Sequence, residues 1–347
     1  MKVGANESAG ERHDWQARGF EASRQVPGAA DARLRGRHGH SFRVEVCHPL
    51  RDESQTGRLG DRLGNVVERL DYQDLDLLFS QRHDAEIWGW IEKHLDLAPG
   101  SHGCLASGPR QGVVRDAAGR LHGWMRDRFE SAHFLPNVPA GHKCGRLHGH
   151  GFEVVLFFPW EEGQSVPLRT QWEKLHARLH GRCLNELGGL DIPTSEILAS
   201  WIWSRLQEGG QVLTQVTVYE TASSGSSFDG TRYRIWKEQS FDSALRSPEG
   251  VLWGHTYRLR LGLSAPLDEM MGWTQDFGEV KRLFDPLYRE LDHQPLHDKV
   301  PAGTTLALLD WIVARTRPLL PALDRLDLYD TPGSGKVWTL PVFGPLR

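Results

Sequence analysis

Hydrophobic and polar positions along the chain follow one pattern three times over. "SFRVEV" follows "RHGH" (Arg37–Val46), "GFEVVLFF" follows "LHGH" (Leu147–Phe158) and "TYRLRLGL" follows "LWGH" (Leu252–Leu263). Each joins a Gly-His step to an aromatic and then to the period-two alternation of a half-buried strand. His40, His150 and His255 are 110 and 105 residues apart, and the strand-like pieces starting at Phe20, Phe129 and Phe241 are 109 and 112 apart. Two independent markers thus give one period, much longer than a solenoid repeat. It predicts three tandem domains of a single type over residues 1–118, 119–231 and 232–347.

After each second strand the period changes. In the last unit Phe277, Val280, Leu283, Phe284, Leu287 and Leu291 recur at helical spacing and predict a helix over Asp276–Leu291; the middle unit's counterpart is Arg169–Leu184. A second helix follows at Thr194–Leu206, with Thr194 as its N-cap after Pro193, and at Ala85–Leu95 and Thr304–Thr316. Further strands are expected at Gln215–Thr221 and Arg325–Thr331, ending in "YET" and "YDT". Each unit therefore reads β-β-α-α-β-β, an α+β arrangement with an antiparallel sheet and helices on one face. The Gly/Ser run Ser223–Gly230 and the stretch Arg246–Gly250 read as turn-rich loops.

Composition narrows the class without changing this picture. The chain has 347 residues, 39% hydrophobic and 25% charged, and a net charge of -4, which argues against broad attraction to nucleic acid or membrane. Cys47, Cys104, Cys144 and Cys183 lack paired spacing, so a disulfide framework is not expected and a reducing cytoplasm fits. The polar N-terminus has no apolar signal region, and no apolar run reaches membrane-spanning length.

The densest chemistry lies in "AHFLPNVPAGHKCGRLHGHGF" (Ala132–Phe152). Residues two apart on a strand share a face, so His148 and His150 point the same way. With His133 on the preceding strand of a hairpin, three imidazoles can converge. Three neutral histidines suit catalytic zinc, leaving a fourth position open. Cys144, between Lys143 and Arg146, reads as a ligand or as a nucleophile or base. Three histidines suffice for a metal, which favours proton chemistry by a thiol whose pKa a nearby cation would lower. His142 is assigned to loop stabilisation.

These residues, with "GLDIPTSEILASWIW" and "VYETASSG", resemble the 6-pyruvoyl-tetrahydropterin synthase superfamily, in particular its bacterial 6-carboxytetrahydropterin synthases of the queuosine and 7-deazapurine pathway. The likeness is dense in the middle unit and weaker elsewhere. It implies the T-fold, in which three units close a twelve-stranded pseudo-trimeric barrel with helices outside and two barrels stack, here as a homodimer of pseudo-trimers. It implies Zn2+ on His133, His148 and His150, Cys144 as the proton-abstracting residue, and Glu220 as anchor of the pterin ring. Thr194 and Ser195 are expected to contact substrate, although capping alone explains Thr194. The implied reaction converts 7,8-dihydroneopterin triphosphate to 6-carboxy-5,6,7,8-tetrahydropterin. The alternatives are a 6-pyruvoyl-tetrahydropterin synthase or related pterin lyase, and a non-catalytic pterin- or zinc-binding scaffold.

The copies differ in complementary ways. The family's Asp-His pair is replaced in the middle unit by His180 and Gly181, but the last unit keeps it as Asp292-His293. That unit has Leu245 and Trp253 at two metal positions and Asp330 for the anchor glutamate. The first keeps His38 and His40 but has Arg24 in the third place, where a fixed cation opposes a metal. The expectation is one composite site between units two and three, with Asp292 orienting His293 as second acid–base element, and a structural first unit.

Overall fold

The computed structural model of the chain describes residues 10–29, 32–50 and 57–340. Unit one contributes β1 (Glu11–Arg24), β2 (His38–Pro49), α1 (Arg58–Glu68), the two-residue β3 (Gln73–Asp74), α2 (Asp84–Leu95), β4 (His102–Ala106) and β5 (Gln111–Arg115). Unit two contributes β6 (Leu121–His133), β7 (His148–Pro159), α3 (Ser165–Leu179), α4 (Ser195–Glu208), β8 (Gln215–Thr221) and β9 (Ser224–Phe228). Unit three contributes β10 (Tyr233–Arg246), β11 (Leu252–Ser264), α5 (Phe277–Leu291), the two-residue β12 (Gln294–Pro295), α6 (Thr305–Thr316), β13 (Leu323–Thr331) and β14 (Ser334–Thr339). No helix among the described residues is long and apolar enough to cross a membrane.

Twelve strands close into one antiparallel barrel. Units join edge to edge where β5 pairs β6, β9 pairs β10 and β14 pairs β1, so no long sheet edge stays open. Strand alternation divides the side chains between two environments. In β11, Tyr257, Leu259, Leu261 and Leu263 pack against α5 and α6, while Arg258, Arg260 and Gly262 line the lumen. Each unit buries its own hydrophobic core between its helix pair and its third of the sheet, which sets the helices outside the barrel. The lumen is a polar cavity of about 500 Å³. Its charges are paired, as in Arg325 with Asp327 at 2.7 Å and Arg260 with Glu238 at 2.9 Å.

The pseudo-trimeric barrel of three tandem units is as expected, but three local readings change. Helix α3 begins and ends several residues earlier than its apolar spacing suggested, because His180 leaves helical geometry and Gly181 turns with φ 69°. The opening strands extend well before Phe20, Phe129 and Phe241. The Gly/Ser run read as a loop contains strand β9, with Ser224, Ser226 and Ser227 all buried. Its small residues are a packing requirement. A Cβ on Gly225 would stand 2.2 Å from the Val218 carbonyl oxygen and 2.6 Å from the Trp236 ring.

The ladder registers make the three copies superimposable by position. His133 opposes His148, Arg24 opposes His38, and Leu245 opposes Trp253. The turn after each unit's first helix needs a left-handed residue, supplied by Tyr72 and His293 (each φ 54°) and by Gly181. The residue before it closes onto the first strand. Asp71 accepts from Glu21 N–H at 2.9 Å, His180 from Glu130 N–H at 3.2 Å, and Asp292 from Asp242 N–H at 3.0 Å.

Candidate active site

The β6–β7 hairpin delivers the three histidines of unit two to one point. Candidate ligand atoms of His133, His148, His150 and Glu220 all lie within 4.8 Å of one another. Glu220 arrives through a register shift between Tyr219 and Thr221 of β8, a bulge that re-aims the side chain at that position. Its carboxylate stands 3.4 Å from His150 Nε2 and 3.9 Å from His133 Nε2.

The imidazoles are oriented from behind. His133 Nδ1 donates to the Pro193 carbonyl at 2.8 Å and His148 Nδ1 to the Arg146 carbonyl at 2.7 Å. A proton fixed on Nδ1 leaves the Nε2 lone pair facing the cluster, the usual support of a metal-bound histidine. The Nε2 atoms of His133 and His150 are buried with no hydrogen-bond partner. Burial keeps these rings neutral: His133 is pushed down to about 4, and His150 is lowered by burial and then by His148. Neutral rings with orphaned inward lone pairs are the donor set a zinc ion takes, so the residues present fit that metal. Burial, reinforced by Glu196, raises Glu220 to about 7.

Cys144 sits in a short turn, Lys143–Gly145, near enough to feel the charge of Glu220. The expected fall in its pKa is not found. Burial and the Glu220 carboxylate push the thiol up, against the opposing pull of Lys143. His142 does stabilise the loop, accepting the Cys144 N–H at 3.2 Å, and it also faces Asp276 of unit three at 3.2 Å.

Unit three closes over this site with the segment between β11 and α5. Asn137 Nδ2 donates to the Met270 carbonyl at 2.6 Å, and Thr194 Oγ1 donates to the Gly272 carbonyl. Glu196, only 1% exposed, accepts from Thr274 N–H at 2.9 Å and from its hydroxyl at 3.2 Å. Lys237 of β10 donates to Ser223 Oγ at 3.4 Å and interacts electrostatically with Lys143, Lys281 and Glu220. The place expected for the composite site is therefore a real seam between units two and three.

The sequence-derived residues do not all meet there. Thr194 and Ser195, expected at the substrate, are buried, and their hydroxyls are engaged inside the protein: Thr194 caps Ile197 N–H at 3.2 Å, and Ser195 donates to Glu196 at 3.0 Å. Asp292 and His293 pair at 3.0 Å in a separate cluster with Asp242, and the His293 side chain is 76% exposed. The charges acting on His293 are those of Asp292 and Asp242, whereas those acting on Cys144 are Glu220, Lys143 and Asp276. Glu196, Asp276 and Lys237 were missed. Glu196 and Asp276 each sit at a helix start, where capping already accounts for an acidic residue, and Lys237 lies in a strand with no local motif.

In unit one, Arg24 is buried and bound to Asp84 at 2.7 Å, while His38 and His40 join their Nε2 atoms at 2.7 Å. In unit three the Asp330 carboxylate is held by the Thr305 hydroxyl at 2.7 Å.

Comparison with known proteins adds an independent line. The family model described as 6-pyruvoyl tetrahydropterin synthase matches residues 123–231 and again 234–339. A 6-carboxy-5,6,7,8-tetrahydropterin synthase from Synechocystis is 33% identical over 117 residues, covering 30% of this chain and 89% of that protein. A dihydroneopterin monophosphate aldolase from Pyrococcus furiosus is 33% identical over 103 residues, covering 28% and 89%. A putative 6-carboxy-5,6,7,8-tetrahydropterin synthase from Archaeoglobus fulgidus is 34% identical over 99 residues, covering 26% and 81%. The solved 6-pyruvoyl tetrahydropterin synthase of Caenorhabditis elegans aligns with a TM-score of 0.27 at 16% identity, covering 30% of this chain and 92% of that one.

Proposed function

Because the chain belongs to the 6-pyruvoyl tetrahydropterin synthase family, we propose that it is a zinc-dependent pterin synthase acting as a carbon–carbon lyase. In this reading 7,8-dihydroneopterin triphosphate is converted to 6-carboxy-5,6,7,8-tetrahydropterin, with acetaldehyde and triphosphate released, and the product feeds 7-deazapurine and queuosine synthesis. The observation that carries it is the convergence of His133, His148 and His150, two of them oriented by backbone carbonyls and two with orphaned Nε2 atoms, with Cys144 near enough to feel the Glu220 charge.

The three histidines would hold zinc, which when bound acidifies the hydroxyl groups of the substrate side chain. Cys144 takes a proton from that side chain as the thiolate, which a cation held by the three histidines would favour against burial and the Glu220 charge. Glu220 anchors the ring by accepting paired N–H bonds from an aminopyrimidinone edge, which favours its ionised form. Asp292 orients His293 as the second acid–base element. The exposure of His293 on unit three supports its use toward a second copy of the chain, in a homodimer of pseudo-trimers.

The test is zinc analysis with product identification on the wild type, Cys144→Ala and His293→Ala. Stoichiometric zinc, 6-carboxytetrahydropterin from the wild type and none from Cys144→Ala are expected. Full activity in His293→Ala removes that residue from the mechanism, and absence of zinc removes the enzyme reading. The aldolase of equal identity makes a monophosphate substrate the second reading. The phosphate product released distinguishes the two.

A further inference from the structure

The loop carrying Cys144 runs from Phe134 to Leu147 between two metal-ligand strands. Its one short turn, Lys143–Gly145, is built on His142. A connection this long with so little regular structure needs anchors to hold one conformation. Local bonds supply some, from Leu135 N–H to the Cys144 carbonyl at 2.8 Å and from His142 N–H to the Pro139 carbonyl at 3.0 Å. The anchor nearest the thiol is different in kind. His142 Nδ1 accepts the Cys144 N–H, which puts the ring proton on Nε2, and Nε2 faces Asp276 Oδ2 at 3.2 Å. Asp276 is the N-cap of α5, its Oδ1 accepting from Gly278 N–H and, at 3.1 Å, from Glu279 N–H. One carboxylate thus caps the start of a unit-three helix with one oxygen and stands against the imidazole of the unit-two cysteine loop with the other. Both side chains are about three-quarters buried, at 27% and 23% exposure, so the contact is only partly screened.

We propose that His142 and Asp276 form the positioning pair for Cys144, an inter-unit contact that fixes the thiol relative to the three histidines. The composite character of the site then rests on Asp276, whatever Asp292 and His293 do. The backbone N–H of the cysteine itself is the group held, so the pair acts on where the sulfur stands and never touches substrate. Its catalytic meaning rests on the reading of Cys144 as the proton-abstracting residue. The positioning does not, and can be measured without turnover.

The experiment uses the full chain in a Cys183→Ser background, where Cys144 is the accessible thiol because Cys47 and Cys104 are buried. Asp276→Asn keeps a good N-cap while removing the charge, and His142→Asn keeps an acceptor for the N–H two residues on but is too short for Asp276. Iodoacetamide alkylation of Cys144 should change by about threefold or more in each, with zinc content unaltered. In turnover, kcat should fall roughly ten- to hundredfold with KM little changed, and the double variant should be no worse than the worse single one. Unchanged alkylation in both variants overturns the proposal, as do zinc loss or fully additive effects. A thiol that responds as expected in a protein without turnover leaves the pair standing and removes the proposed function.

Discussion

Glu196 gives the sharpest measure of the seam between units two and three. It is buried with no cation beside it among its described contacts, and it accepts two bonds from Thr274 on one oxygen and one from Ser195 on the other. Glu196→Ala leaves the Thr274 N–H without an acceptor inside the protein and opens a small cavity. Together these cost about 3 kcal/mol. Glu196→Gln keeps an oxygen for both Thr274 bonds and removes the buried charge, so it stays within about 1 kcal/mol of wild type. Burial raises the Glu196 pKa above its ordinary 4.5. A carboxyl group with a raised folded pKa stabilises below its unfolded pKa, and that stability is lost as pH rises through the folded value. The glutamine variant lacks this loss and should therefore gain on wild type as pH rises above the ordinary carboxylate range. Amide hydrogen exchange over residues 264–277 reads the local opening directly. The alanine variant should exchange roughly a hundredfold faster there, with the barrel strands unaffected. An alanine variant with wild-type protection, or a glutamine variant that loses ground at pH 8, would refute the reasoning.

Three further outcomes follow from the other copies. Tyr72→Gly and His293→Gly relieve left-handed geometry at φ 54° and should each stabilise by about 1 kcal/mol in chemical denaturation, the second with loss of any His293 function. Asp84→Ala strips the buried Arg24 of its partner and should cost about 3–5 kcal/mol by the same method, with zinc content unchanged because the three-histidine cluster lies in unit two. The His293 pKa is raised by its hydrogen bond to Asp292, so Asp292→Asn should move its NMR titration midpoint down, and an unmoved midpoint would dissolve the pair.

What could be read from the sequence was whatever repeats or alternates. The Gly-His steps recur at a fixed period, and His-x-His on a strand places two ligands on one face whatever the surroundings. The first half of β1, "ERHDWQAR", resisted because its helix-facing side is polar. Asp14 is buried against Lys336 at 2.7 Å and bonded to Gln16 at 3.1 Å, so strand alternation carries no apolar signature there. Strand β9 resisted because the approach of Trp236 demands small residues, and small residues in a row look like a turn. The link between His142 and Asp276 spans two units and 134 positions, and nothing local marks either residue. The Asp292-His293 motif was legible as a motif, but its place outside the cysteine's surroundings was not, because that depends on how helix α5 lies along the barrel.

A ring of three identical units would carry three equal seams, each with a metal cluster that must be filled or left unsatisfied. Fusion into one chain lets each position be settled separately. Buried imidazoles with lone pairs facing one another are unfavourable without a metal or a proton between them. In unit one the third imidazole is replaced by Arg24, held by Asp84, while the Nε2 atoms of His38 and His40 face each other at 2.7 Å. In unit three that conflict is removed by Leu245 and Trp253, although Tyr257 Oη and Asp330 Oδ1 are left there without hydrogen-bond partners. Among the described residues, buried imidazole Nε2 atoms without a partner occur only at His133 and His150. That donor set lies where unit three also lays Asp276 and Thr274 across unit two. That seam joins a donor set of the kind a metal takes to hydrogen bonds that hold it still.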